Sequence, residues 1–347
     1  MTFLPTEEQR AFTRSLDAML TASDTPAVAR AWAGDDPGPG RALWGRLAEA
    51  GVFALAVPEA YEGAGPLPVE LAYAFVELGR HVVPGPVVET VATAALLAGL
   101  ARRGEEGPGK RLLPALASGG HMATLSLAPP GTARPPRLLD ADRADLVFVV
   151  RDRALLLTPA PERSLPSTDP TRHLSHPTPT GRLLAEGPSV TAAAHRARRW
   201  AMLATAAQSL GVGLALLDRT VEYALIRSQF GAPIGSFQAV KHRLADTLLS
   251  LEFARPLLFG AAAALAEAEE GGGGPAVDGE LAAAKVAAGE AGYAAARTAL
   301  QIHGAIGYTE ELDLSWWLRK ARPLRDAWGD PASCRRTVLE GYPDTGP

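Results

Sequence analysis

The chain has 347 residues, 47% of them hydrophobic and 21% charged, with a formal net charge of −4. That length accommodates two or three domains around large cores, and the composition is that of a folded globular protein. The mild acidity and the absence of a basic block argue against a nucleic-acid partner, and the single cysteine, Cys334, rules out an internal disulfide or a cysteine-based zinc site.

The opening string MTFLPTEEQRAF has no basic stretch followed by an apolar one, so no secretory leader is expected. Apolar positions at Phe12, Leu16 and Leu20 predict a helix over Thr6–Leu20, and similar short amphipathic runs cover Leu43–Ala50 and Leu71–Gly79. Between them VFALAVPEAYEGAGP is punctuated by Pro58, Gly63, Gly65 and Pro66 and is expected to be irregular. The apolar run Val91–Ala101 is too short to span a bilayer. A cytoplasmic protein with no membrane partner is the expectation.

From about His121 to Val190 the texture changes. MATLSL, DLVFVV and ALLLTPA are short β-rich runs separated by proline clusters and charged turns, which predicts a small antiparallel β domain. The helical code returns from Thr191. Trp200, Leu203, Ala207, Leu210, Leu214, Leu217, Val221 and Ala224 form an apolar stripe along a helix about 40 Å long. A second helix, Ser236 to about Glu269, carries Phe237, Val240, Leu244, Leu248 and Leu251 on one face, with a kink expected at Pro256. Gly271–Pro275 reads as a loop and not a phosphate cradle, since no Lys-Ser/Thr pair follows. Helices over Glu280–Ile302 and Asp313–Trp328 complete an expected four-helix bundle. The fold class is therefore mainly α with a small β domain. Its expected divisions are an N-terminal helical domain (1–118), a shortened middle β domain (119–190) and a C-terminal four-helix bundle (191–347). The seven histidines show no metal-ligand spacing, so no metal is expected.

The stretch RSQFGAPIGSFQAVKHRLAD, Arg227–Asp246, interrupts two long helices. Gly231, Pro233 and Gly235 break the helix, while Arg227, Gln229, Gln238 and Lys241 gather polar groups around the break. A guanidinium fork and exposed backbone donors suit a phosphate and an adenine. This string resembles the flavin-binding turn of the acyl-CoA dehydrogenase family. QIHGAIGYTEELDLSWWLRKARPL (Gln301–Leu324) is similar to that family's second C-terminal motif. WGRLAEAGVFALAVPEAYEGAG (Trp44–Gly65) and ELGRHVVPGPVVET (Glu77–Thr90) look like its N-terminal domain, and STDPTRHL (Ser167–Leu174) like the end of its middle domain.

The resemblance implies FAD held at a subunit interface in a tetramer, homomeric or heteromeric, acting on an acyl-CoA or acyl-carrier thioester. Carried over by motif, Arg227, Gln229, Phe230 and Gln238 contact the nucleotide, and Gln301, Gly304 and Gly307 line it from a neighbouring subunit. Family members desaturate the acyl group at α and β, a carboxylate removing the α-proton while hydride leaves to the flavin. Both usual base positions depart from the pattern: Gly329 stands at the one after Trp328, and Ala201, followed by Met202, at the one on the first bundle helix. The nearest substitutes are Asp330 and Asp326; a one-residue slip would bring Asp330 to the base position, although Asp before Pro331 commonly caps a turn. The strand that grips flavin and thioester is reduced to TLSLAPPGTARP (Thr124–Pro135). These departures imply a subunit that contributes to a flavin site beside a related catalytic chain. The alternatives are a self-sufficient enzyme using Asp330 and a flavin-free structural partner.

Overall fold

The structure, a computed structural model, describes residues 4–34, 36–128, 137–271, 274–309 and 311–341. Among the described residues six helices come first: α1 (Glu7–Thr21), α2 (Thr25–Ala33), α3 (Gly38–Glu49), α4 (Pro68–Arg80), α5 (Val87–Ala101) and α6 (Glu106–Ala117). The start of α1 is locally encoded. Thr6 Oγ1 accepts from Gln9 N at 3.1 Å and Thr6 N donates to Gln9 Oε1 at 2.9 Å, a reciprocal cap that satisfies two helix-end donors. The irregular stretch before α4 forms two short 3-10 turns at Ala54–Ala56 and Glu59–Tyr61. Helix α5 is buried from Val87 to Leu100. Being apolar all round, it lacks the periodicity that marks an amphipathic helix.

Among the described residues seven strands follow: β1 (Ala123–Leu127), β2 (Leu138–Leu139), β3 (Leu146–Arg151), β4 (Ala154–Thr158), β5 (Ser164–Leu165), β6 (Leu174–Ser175) and β7 (Arg182–Glu186). They form a four-stranded sheet in the order β1-β3-β4-β7 and a three-stranded sheet in the order β2-β6-β5. Asp152 (φ 51°) and Arg153 (φ 66°) make the two-residue turn of the β3–β4 hairpin, both left-handed as such a turn requires. One pairing departs from the expected antiparallel pattern. β1 runs parallel to β3, Ala123 opposite Leu146, because a long connection containing β2 joins them instead of a hairpin. Residues 129–135 of the reduced TLSLAPPGTARP segment lie outside the described residues, as do residues 272–273 of the Gly271–Pro275 loop.

Helix α7 (Pro188–Ile226) has 39 residues, about 58 Å at 1.5 Å per residue, longer than the apolar stripe alone suggests. A hairpin of β8 (Ser228–Gln229) and β9 (Ala232–Pro233) separates it from α8 (Gln238–Gly271). Then come α9 (Pro275–His303), α10 (Leu314–Asp326) and α11 (Pro331–Gly341). α8 stays helical through Pro256. Its buried face is Thr247, Leu251, Ala254, Leu258 and Leu265, whereas Phe237 and Leu248 are 38% and 45% exposed. The expected face is thus corrected in part: the apolar period is real and Leu251 is buried, but α8 has no buried residue before Thr247.

The described residues fall into two compact units, one from Met1–Pro26, Ala72–Val83 and Met202–Pro347, the other from Ala27–Leu71 and Pro84–Ala201. In the second unit Thr90 Oγ1 on α5 donates to Ala123 O at 2.9 Å, and Ala123 N donates back at 3.0 Å, tying the helix to β1. In the first, Trp317 is fully buried with its Nε1 donating to Arg80 O at 2.8 Å, and the Arg219 guanidinium lies 3.9 Å from its ring centre. α7 and α8 are long and apolar enough to cross a membrane. The apolar window of α7 is wholly buried within the protein, as in a core helix, and that of α8 is one-third buried.

Candidate active site

The interruption between α7 and α8 is a tight hairpin. Ser228 pairs with Pro233 and Gln229 with Ala232, leaving Phe230 (φ 53°) and Gly231 (φ 77°) as its two left-handed central residues. Arg227 N donates to Tyr223 O at 2.9 Å and Ile234 N to Arg227 O at 2.8 Å, so the backbone at the base of the hairpin is fixed. The side chains of Arg227, Gln229 and Gln238 are exposed, and Phe230 is 94% exposed, its ring 6.2 Å edge-on from that of Phe237.

The second predicted element lies beside the first. Tyr223, one turn before Arg227, stacks on His303 with ring centroids 4.2 Å apart, and His303 immediately precedes Gly304. The ends of α7 and α9 are therefore neighbours. His303 is buried and its Nδ1 lies 2.8 Å from Ala299 O; burial depresses its pKa, which makes it a neutral packing group. Gly304 closes α9 in a left-handed conformation (φ 64°), and Gly307 is buried.

Between α8 and α9 runs an open groove of about 810 Å³. Gln301 and Gly304 line it together with His242, Arg243, Asp246, Arg297 and Tyr308. Of the predicted residues, the groove gathers these two, and Arg227, Gln229, Phe230 and Gln238 stand on the hairpin and at the start of α8. Sequence reading passed over His242, Arg243 and Arg297. The signal was present: 239, 242/243, 246 and 250 share one face of α8, and 294, 297/298 and 301 share one face of α9.

The positions where a base is expected are packed shut. Gly329 has φ 148°, and a Cβ placed there would meet Cys334 Sγ at 2.7 Å and Met202 Cε at 3.8 Å. The two expected base regions thus converge, with Ala201 and Gly329 at the expected positions themselves. Ala201 is completely buried and Met202 nearly so. Asp330 begins α11: its Oδ1 accepts from Ala332 N and Ser333 N, both at 3.0 Å. The hydrogen bond from the Ser333 backbone is the main cause holding its carboxyl below the ordinary range. Lys285, buried on α9, donates from Nζ to Leu324 O and Arg325 O at 2.9 Å each, capping the end of α10. Burial pushes its pKa down to about 8. The α10–α11 turn is thus fixed from both sides.

Comparison with known families assigns this arrangement. Residues 6–120 match the acyl-CoA dehydrogenase N-terminal domain, and residues 192–342 match the acyl-CoA dehydrogenase C-terminal domain. Acyl-CoA dehydrogenase IpdE2 of Mycobacterium tuberculosis is 32% identical over 320 residues, covering 91% of this chain and 92% of its own. The chain belongs to the acyl-CoA dehydrogenase family. The bovine mitochondrial short-chain specific acyl-CoA dehydrogenase is 28% identical, with 86% of this chain and 81% of its own covered. Among solved structures, the ChsE4-ChsE5 complex from Mycobacterium tuberculosis superposes with a TM-score of 0.77 at 26% identity, covering 99% of this chain and 100% of that one. Members of this family are FAD-binding oxidoreductases.

Proposed function

We propose that this chain is a subunit of a heteromeric FAD-dependent acyl-CoA dehydrogenase. On this reading it supplies nucleotide-holding elements to the flavin site, while a related chain supplies the carboxylate for α,β-desaturation of an acyl thioester. The observation that carries the reading is Gly329. At the position where a base is expected, the backbone is left-handed and a Cβ would lie 2.7 Å from a buried sulfur. A side chain is therefore lacking there for a structural reason. The similarity to the ChsE4-ChsE5 pair supports a two-chain assembly. So do the uncovered apolar side chains of Ile226 (80% exposed), Phe230 and Phe253 (72%), which solvent disfavours and a partner surface would bury.

The residues present fit the family's cofactor. The groove carries His242, Arg243 and Arg297 against the single acid Asp246, a donor set suited to a diphosphate-bearing nucleotide. In this reading Arg227 binds the pyrophosphate, Gln229 and Gln238 the adenine side, and Phe230 packs beside them. Gln301 and the backbone at Gly304 and Gly307 close the nucleotide from the α9 end. When bound, the flavin accepts the substrate β-hydrogen as hydride. The α-proton is weakly acidic until the thioester carbonyl is hydrogen-bonded, so a positioned carboxylate must take it. This chain places none at 201 or 329.

A rival reading makes Asp330 the base of a self-sufficient enzyme, since its carboxyl is held ionised beside Gly329. Its two backbone hydrogen bonds favour the capping role. The test is to purify the chain alone and co-expressed with a related family chain, and to record flavin absorbance and its bleaching by acyl-CoAs. Bleaching is expected only with the partner and is expected to survive Asp330→Asn. Bleaching by this chain alone overturns the partner-subunit reading, and loss of that bleaching in Asp330→Asn identifies Asp330. Colourless protein in both preparations overturns both enzyme readings and leaves a structural subunit.

A further inference from the structure

Away from the flavin motifs, the end of the β2–β6 strand pair gathers an acidic cluster around a histidine. The register Leu139 opposite Leu174 sets Asp140 against His173, and Asp140 N donates to His173 O at 2.6 Å. Arg143 N and Ala144 N donate to Asp140 O at 3.0 and 2.9 Å, closing a turn that brings Asp142 back towards the same point. One carboxylate oxygen from each of Asp140 and Asp142 and one imidazole nitrogen of His173 lie within 4.8 Å of one another. Asp142 Oδ2 is 3.1 Å from His173 Nδ1.

Asp140 is the informative member. It is fully buried, and its Oδ1 accepts from His173 N at 3.0 Å, but its Oδ2 is buried with no hydrogen-bond partner among the described residues. A buried carboxylate oxygen left unpaired is costly, and such groups are found paired or coordinating a cation. We propose that Asp140, Asp142 and His173 bind one divalent transition-metal ion of the Zn²⁺ or Mn²⁺ type, pinning the turn after β2 to the strand start of β6. Two carboxylates and one imidazole form a mixed oxygen–nitrogen set suited to such ions, with solvent completing the shell. The side chains of Asp142 and His173 are 34% and 15% exposed, which leaves an entry path.

The surrounding charges are mixed. Glu89 on α5 acts on Asp140 with the same sign, and Arg172 with the opposite one. Arg143 Nε forms an ion pair with Asp142 Oδ2 at 3.5 Å, a contact a bound cation would compete with, while Arg143 Nη2 donates to Gly34 O at 2.5 Å and the guanidinium lies 5.0 Å from the Trp32 ring centre. The competing arrangement is a protonated Asp140, whose pKa burial pushes up to about 7. Sequence spacing hides the cluster, because the two aspartates follow β2 while His173 precedes β6, 31 residues after Asp142.

The two arrangements are separated by calorimetric titration of the EDTA-treated, desalted full-length protein, in its flavin-loaded assembly, with ZnCl₂ and separately MnCl₂. MgCl₂ serves as the control. One ion per chain is expected, with Kd weakened at least about tenfold in Asp140→Asn and in His173→Ala. The metal-dependent rise in Tm is expected to vanish in both variants. Asp140→Asn keeps the side-chain shape and one acceptor oxygen for His173 N while exchanging the other oxygen for an amide NH₂; should it not fold, His173→Ala carries the comparison, with flavin absorbance as the check on folding. No bound ion in the parent protein, or equal affinity in parent and variants, overturns the site.

Discussion

Replacing Gly329 by alanine is expected to destabilise the protein by about 2–6 kcal/mol. Two independent costs make up that figure. A non-glycine residue forced to φ 148° carries about 1–3 kcal/mol of backbone strain. The new Cβ would also sit 2.7 Å from Cys334 Sγ, and Cys334 is only 2% exposed, so relieving the contact means shifting a packed side chain, another ~1–3 kcal/mol. The assay is urea unfolding at fixed protein and flavin concentration, reading the midpoint at constant slope. Cys334→Ala removes the steric part and leaves the backbone part, so the double variant is expected to recover about 1–3 kcal/mol against the sum of the single changes. Gly329→Ala within about 0.5 kcal/mol of the parent protein refutes the reasoning, since the turn would then tolerate a side chain. The same costs apply to Gly329→Glu, so restoring the family carboxylate at this position is not expected to restore a base.

Arg227→Ala is expected to lower flavin affinity about 10- to 100-fold, the loss of one charge-assisted hydrogen bond set, read from flavin released on ultrafiltration. The stability of flavin-stripped protein should not move, because the side chain is exposed; unchanged affinity removes Arg227 from the cofactor set. Glu77 yields a pH dependence: burial, opposed by Arg80 at 3.6 Å, pushes its pKa from 4.5 up to about 7. The folded protein therefore holds a proton the unfolded chain releases between those values. This contribution is complete below pH 4.5 and is lost as pH rises through 7, to the extent of about 3 kcal/mol. Glu77→Gln should flatten that part of the stability–pH curve, and an unaltered slope would show a solvated carboxyl.

What was legible in the sequence follows from where the determining interactions lie. The helix start at Thr6 and the helix break at Gly231 are set by near neighbours, and local reading finds them; the reciprocal cap with Gln9 and the left-handed pair at Asp152 and Arg153 are equally local but appear only in the folded structure. Helix α5 is different, because burial on every side erases its period. The N-terminal part of α8 misleads in the opposite sense: its apolar period at Phe237 and Leu248 lies on a face that stays exposed. The parallel β1–β3 pair is likewise set by chain connection and not by either strand's residues. At the site, Arg227 and Gln301 were readable as motif members, yet the convergence of Met202, Gly329 and Cys334 links residues from α7, the α10–α11 turn and α11. That convergence bears most on function. An absent carboxylate in a sequence is compatible with recent loss or with a base supplied from elsewhere on the chain. A left-handed glycine packed against a buried sulfur, with Lys285 and Asp330 fixing the turn on either side, is a position whose packing disfavours a side chain where the resemblance expects the base. A turn built in that way favours assembly with a chain that keeps the carboxylate over a substitute improvised at Asp330.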